Sequence, residues 1–371
     1  MQFPDYSNSL LALGSSIRAH FGLNTHHSTL TALDTMLEWR PRNVVVMLFD
    51  GMGTAILEKH LPADAFLRRH LHGSISSVFP PTTTAATISL ESGLAPICHG
   101  WLGWRLYFAE LDQTVNLFPN TVADHSGRKA GEVHIARTRM PYHDTTDEIR
   151  RSGRYDAAYL SPYAPDAADR CKTLDELFDA VRARCAMPEE KYVYAYWPQP
   201  DYDMHEFGTA DERITAQLTA INAAIEALAS TLRDTLLIVT ADHGMIDTEW
   251  RYLSDYPDLA SCLARQISIE ARAASFFIKP GKLDDFARKF KAVFGDSYRL
   301  FTHDEVLQSQ LFGAGTPHPL SDGFIGDYLA VATGSVSLDM VRPDESDFVM
   351  RAVHAGATPE ELNIPFIAVE C

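Results

Sequence analysis

Four short runs constrain the fold more than anything else in the chain: NVVVMLFD (43–50), KYVYAYW (191–197), TLLIVTAD (235–242) and IPFIAVE (364–370). Valine, isoleucine, leucine and aromatics fill them, with no alternation of polar residues. A strand with one wet face alternates; one without alternation is covered on both faces, as in a parallel sheet. Helical patterns lie between the runs, the clearest in ADERITAQLTAINAAIEALASTLRD (210–234). Strands alternating with helices predict an α/β fold with a mostly parallel central sheet flanked by helices. Residues 251–327 read differently: a strand-like ARAASFFIK (271–279), an amphipathic LDDFARKFKAVFG (283–295) and a Gly/Pro/His loop LFGAGTPHPLSDGF (311–324). The expected organisation is a main domain of 1–250 and 328–371, interrupted by a small inserted cap-like region, 251–327.

Charge and cysteines narrow the function classes. A formal net charge of −17 argues against a nucleic-acid polymer as partner, since phosphate backbones want Lys and Arg patches. It leaves room for a small anionic substrate, because a bound metal can supply the local positive charge. Cys98, Cys171, Cys185, Cys262 and Cys371 are scattered, without a CxxC pair. Neither a zinc ribbon nor a disulfide framework is indicated, and a reducing compartment is the simpler reading. No run approaches the roughly 18 apolar residues of a membrane span, and the N-terminal residues lack the charge pattern of a signal peptide. A cytoplasmic protein without a membrane partner is expected.

The strand ends carry the chemistry. Asp50 closes the first run. PDYDMH follows the second and supplies Asp201 and His205. TADHGM closes the third with Asp242 and His243, and VHAGATPEE places His354 just before the last. In open α/β sheets ligands bind beyond the carboxyl ends of strands, and carboxylates together with imidazoles suit a divalent transition metal, zinc most readily and manganese as the alternative. A further stretch, SVFPPTTTAATISLESGL (77–94), puts Thr82, Thr83 and Thr84 where a helix begins after a proline pair. Threonine there either caps free amides or aims a hydroxyl at an anion held by the helix start. The six acids and histidines plus a threonine oxygen suffice for two metal ions, which at about 4 Å spacing are a device for displacement at phosphorus. A threonine hydroxyl needs such help to act as a nucleophile.

LFDGMG, FPPTTTAATISLESGLAPICHGWLG, PDYDMHEFG, TADHGM and HAGATPEELNIPF occur in one order across roughly residues 44–368. In these motifs the chain resembles the alkaline phosphatase superfamily, and within it the type I phosphodiesterase/nucleotide pyrophosphatase family. The resemblance implies that Thr83 is the nucleophile. It implies one metal on Asp50, Thr83, Asp242 and His243, and the other on Asp201, His205 and His354. It implies a small phosphate-ester substrate, a nucleotide among the candidates, with a phosphomonoesterase or phosphonate hydrolase as the alternative activity. Tyr196 matches the family aromatic that stacks on a nucleobase. Thr84 stands where relatives carry a second aromatic, and Trp104 where they carry an asparagine that holds a phosphoryl oxygen, so these three residues are expected to shape the leaving-group pocket. GMGTAI (51–56) lacks the third glycine of a dinucleotide loop. His26, His27, His70, His72, His318 and the Cys98–His99 pair read as structural or surface residues.

Overall fold

The computed structural model describes residues 1–124, 126–344 and 348–371. Six strands form the central sheet: β1 (Asn43–Phe49), β2 (Leu71–Ser76), β3 (Asp156–Leu160), β4 (Lys191–Trp197), β5 (Thr235–Thr240) and β6 (Asn363–Glu370), in the spatial order β2–β6–β5–β1–β4–β3. Every residue of β1 and of β5 is buried, which is why neither run alternates. β1 is parallel to β4 and β5, and β3 is parallel to β4. The sheet is mixed, because β6 is antiparallel to both β5 and β2. IPFIAVE, expected as another parallel strand, therefore runs the other way. Apolarity reports burial, not direction. The chain enters β6 from the carboxyl end of the parallel strands, just past His354, and has to run back along β5.

A second sheet of seven strands is antiparallel throughout. Its order is Tyr298–Thr302, Tyr328–Ala332, Ala273–Phe276, Ser268–Ile269, Arg105–Phe108, Gln113–Asn116 and Thr121–Val122. Residues 251–327, expected as a cap-like insertion, supply three of these strands; the others come from 105–122 and 328–332. The sheet is thus not confined to 251–327, and an edge at 327 would cut the pairing of Ala273–Phe276 with Tyr328–Ala332. The helix Leu283–Phe294 buries Phe286, Phe290 and Phe294, one turn apart on one face, where they meet Phe276 and Tyr298. A fully buried ion pair links this sheet to the segment entering β6: Arg272 Nε and Nη2 donate to Glu361 Oε1 and Oε2 at 2.6 and 2.9 Å. Among the described residues no helix is long and apolar enough to cross a membrane.

Candidate active site

The carboxyl ends of β1, β4 and β5 lie side by side, and main-chain bonds lock their loops together. Asp50 N donates to Trp197 O at 2.9 Å, and Asp201 N donates to Asp50 O at 3.0 Å. Gly51 N donates to Asp242 Oδ1 at 3.1 Å. Gly51 sits at φ +72°, and a Cβ there would lie 2.9 Å from that of Asp201. Only glycine meets both demands. The GMG turn thus lets three aspartates converge. Gly244, next to His243, is equally constrained, since a Cβ would fall 1.9 Å from Glu360 O.

The three histidines share one arrangement. Nδ1 of His205, His243 and His354 donates to the main-chain oxygens of Ala352, Gly244 and Pro81 at 2.8, 3.0 and 3.1 Å. A carbonyl accepts only, so each Nδ1 carries a proton and each Nε2 is the atom turned inward that could ligate a cation. These Nε2 atoms face carboxylates. His205 lies 3.2 Å from Asp201 Oδ2, His354 3.8 Å from Asp201 Oδ1, and His243 3.3 and 3.4 Å from Asp50 Oδ1 and Asp242 Oδ2. A lone pair facing a carboxylate oxygen is repulsive unless a cation or a proton stands between them. Asp201 Oδ1 and Asp242 Oδ2 are, moreover, buried without a hydrogen-bond partner. The donor set fits divalent cations of the nitrogen- and oxygen-binding kind. Ligand atoms gather within 4.8 Å in two trios, Asp50–Asp242–His243 and Asp201–His243–His354. His243 belongs to both, its ring stacked on His354 at 3.7 Å. His205 reaches Asp201 but lies outside the second trio.

Electrostatics point the same way. Burial, then the Asp201 charge, pushes Asp50 up to about 8. Burial and Asp50 push Asp242 well above the carboxylate range. Burial opposes ionisation of Asp201 too, but His205 outweighs it and holds that carboxyl low. Burial depresses His205, yet Asp201 raises it to about 9. Three carboxylates in one buried space resist full ionisation without compensating positive charge. The proton on His205 stands where a ligated cation would displace it.

Thr83 opens the helix Thr83–Ser92, with Thr82 as its N-cap residue but without a side-chain cap bond. Thr83 Oγ1 lies 3.4 and 3.5 Å from the Asp50 carboxylate oxygens and 3.3 Å from His243 Nε2. It is the hydroxyl of the triplet that faces the acids and imidazoles. Thr82 Oγ1 instead donates to Glu270 Oε1 at 2.7 Å, and Thr84 is fully buried with its hydroxyl unpartnered. The uncapped helix start leaves first-turn amides to meet an anion.

The pocket-shaping expectations fare differently. Thr84 cannot line a pocket, because it is 0% exposed. Tyr196 is only 7% exposed, and its hydroxyl donates to Asp50 Oδ2. It braces a ligand-type aspartate rather than offering a face to a base. Trp104 is 40% exposed, its indole roughly perpendicular to the Phe118 ring, 5.9 Å between centroids. The sequence reading missed Glu270, which accepts from both Thr82 Oγ1 and Trp104 N at 2.7 Å. It also missed Tyr163, 67% exposed and 6.2 Å from the Tyr196 ring. No motif spacing marks either residue. Among the set-aside residues, His27 accepts from Ala95 N, His99 is buried against Ser89, and Cys98 Sγ donates to Ala314 O.

The family model described as type I phosphodiesterase / nucleotide pyrophosphatase matches residues 44–334. No curated protein matches the chain in sequence. Among solved structures, murine ectonucleotide pyrophosphatase/phosphodiesterase 5 superposes with a TM-score of 0.63 at 19% identity, covering 88% of each chain. An inactive threonine-to-alanine variant of it, in complex with AMP, gives the same TM-score and identity. Phosphonoacetate hydrolase from Sinorhizobium meliloti 1021, in complex with phosphonoformate, gives 0.62 at 16% identity, covering 88% of this chain and 90% of that one. At these identities the solved structures establish the shared fold.

Proposed function

The chain belongs to the type I phosphodiesterase/nucleotide pyrophosphatase family of metal-dependent phosphoester hydrolases, and on that premise we propose that it is a two-cation phosphodiesterase with Thr83 as nucleophile. One observation carries the reading. Three imidazoles with Nε2 turned inward and two orphaned carboxylate oxygens converge where the Thr83 hydroxyl stands at the open start of a helix. Asp50, Asp242 and His243 with Thr83 would hold one cation, and Asp201, His205 and His354 the other, with His243 close enough to serve either. Zinc suits this mixture of imidazole and carboxylate; manganese is the alternative. Bound cations would neutralise the carboxylates, favour the threonine alkoxide and stabilise charge on the leaving oxygen.

The chain's own residues do the rest. The first-turn amides of the Thr83 helix orient the phosphoryl oxygens. Thr83 Oγ1 bonds to phosphorus as the bond to the leaving alcohol breaks, and water then cleaves the phospho-threonine. Diesters are the preferred substrates, because among the described residues no arginine stands in the cluster for the extra charge of a monoester. Nucleotides fit this class, and the AMP complex of the murine neighbour supports that fit. With Tyr196 and Thr84 buried, however, base selectivity is expected to be weak. The likeness to phosphonoacetate hydrolase keeps phosphonate cleavage as the second reading. Five unpaired cysteines support a cytoplasmic setting.

The test is a panel on zinc- and manganese-loaded protein: bis-(4-nitrophenyl) phosphate, 4-nitrophenyl phosphate and phosphonoacetate. Diester should lead in kcat/KM, chelation should abolish turnover, and Thr83→Ala should lose orders of magnitude in rate. Full activity of Thr83→Ala, or of exhaustively chelated protein, would overturn the mechanism. A lead for phosphonoacetate would replace the substrate class and leave the site standing.

A further inference from the structure

His354 is followed by AGATPEEL (355–362), and the turn these residues make is strained at its first step. Ala355 sits at φ +86°, a left-handed conformation that costs any residue with a Cβ and persists only where its surroundings impose it. The fully buried Glu361 holds the far side of that turn. As the third residue of the helix Pro359–Leu362 it closes a capping box with Thr358. Its Oε2 accepts from Thr358 N and Oγ1 at 3.3 and 2.8 Å. Capping does not account for Oε1, which reaches back past the helix start and accepts from Gly356 N at 2.7 Å. Glycine admits it, since a Cβ at 356 would lie 2.6 Å from Glu361 Oε2. Among the described residues no other side chain accepts from 355–358.

The carboxylate is itself fixed. Arg272 Nε and Nη2 donate to it, while Nη1 and Nη2 also donate to the main-chain oxygens of Val336 and Gly334 at 2.8 and 2.7 Å. Arg272 ends the turn 270–272 between strands Ser268–Ile269 and Ala273–Phe276. Glu270, at the other end of that turn, accepts from Thr82 Oγ1 at 2.7 Å. Pro81 O, next to Thr82, accepts from His354 Nδ1 at 3.1 Å. A ring of bonds therefore runs from His354 through Pro81, Thr82 and Glu270 to Arg272, and back through Glu361 and Gly356. The nitrogen this ring turns inward is His354 Nε2, 3.8 Å from Asp201 Oδ1.

We propose that Glu361 is a positioning residue for the second cation: its carboxylate holds 355–358 in the turn that aims His354 Nε2 at Asp201, and so sets the affinity of the Asp201–His205–His354 site. The inference rests on the two-cation reading. The main-chain oxygen of Glu361 also accepts from Gly244 N at 2.8 Å, but a side-chain substitution leaves that bond in place. Asp50 and Asp242 receive no bond from the Glu361 carboxylate, so the other cation should feel little.

A purely structural Glu361 would cap its helix, pair with Arg272 and contribute stability alone. Two variants separate the roles. Glu361→Gln keeps the shape but has one accepting oxygen instead of two and no charge. Gly356→Ala keeps both charges and pushes a methyl group between the carboxylate and the turn. Each is titrated with zinc against a chelating dye, with a thermal melt to check the fold. Wild type should bind two zinc ions. In either variant one ion should weaken by about 10–100-fold, as when a group behind a metal ligand is lost, and the other should stay within about threefold of wild type. Should Glu361→Gln unfold, Gly356→Ala decides alone. Folded variants that bind both ions as wild type does, or that weaken both equally, overturn the inference while the two-cation reading stands. Wild type that binds fewer than two zinc ions removes both readings together.

Discussion

Tyr196→Phe sets the sequence expectation against the structure most sharply. If Tyr196 stacked on a base, phenylalanine would serve nearly as well. In the structure its ring is buried and its hydroxyl donates to Asp50 Oδ2. Thr83 Oγ1 lies farther off, at 3.4 and 3.5 Å from the Asp50 carboxylate oxygens, as does His243 Nε2 at 3.3 Å, so the phenol is the closest hydroxyl or N–H donor to this carboxylate among the described residues. A hydrogen bond to a charged group contributes about 1.5–3 kcal/mol. At about 1.4 kcal/mol per factor of ten, removing it should cost roughly 10–100-fold in cation affinity, the range found when groups behind metal ligands are removed. The assay is cation competition against a chelating dye, alongside kcat/KM on bis-(4-nitrophenyl) phosphate at limiting and saturating zinc and a thermal melt to check the fold. Loss of activity at limiting zinc, largely restored at saturation, is the expected pattern. A folded Tyr196→Phe with wild-type cation affinity and wild-type kcat/KM would refute the positioning argument.

Three further outcomes follow from buried groups. Glu361→Ala strands Arg272 without its bidentate partner in a fully buried position, so urea unfolding should register a loss of about 3–5 kcal/mol. Thr84→Val removes a buried hydroxyl that has no partner at nearly constant volume, and should keep activity without lowering Tm. Glu91, which accepts from Tyr142 Oη at 2.7 Å, is pushed up to about 8, chiefly by burial. Its folded pKa lies above the unfolded value, so the stability it confers is complete below about pH 4.5 and is lost as pH rises through about 8. Glu91→Gln should flatten that decline in denaturation curves taken from pH 5 to 9.

What was legible in the sequence was what burial and strand ends dictate. β1, β4 and β5 announced themselves because covered strands cannot alternate, and their acids announced themselves because sheet ends collect ligands. The edge strands did not. β2 leaves most of its residues partly or fully exposed, and β3, DAAYL, is a short alanine-rich edge. The direction of β6 was invisible because composition carries no sign. The second sheet escaped because it assembles Arg105–Phe108 beside Ser268–Ile269, a pairing across a long loop that no local pattern encodes.

Within the site, the same distinction separates identity from orientation. Asp50, Asp201, Asp242, His205, His243 and His354 could be picked by type and place, but which nitrogen each imidazole offers depends on three carbonyls, of Ala352, Gly244 and Pro81. Carbonyls belong to every residue and leave no mark in a sequence. Tyr196 misled for a related reason. Counting back from Asp201 puts an aromatic near the acids, but strand register then turns it inward: Leu48 of β1 pairs with Tyr196, two residues short of Asp50. From there its phenol reaches the carboxylate instead of the solvent. The triple threonine divides in the same way. Thr82 is the extended N-cap and turns to Glu270, while Thr83 and Thr84, successive helix positions about 100° apart, turn to the ligand cluster and into the core. A single hydroxyl is needed at the centre; its neighbours share its chemistry but not its direction, so the residues' own chemistry leaves three candidates, the family resemblance names Thr83, and the folded helix turns that hydroxyl to the acids.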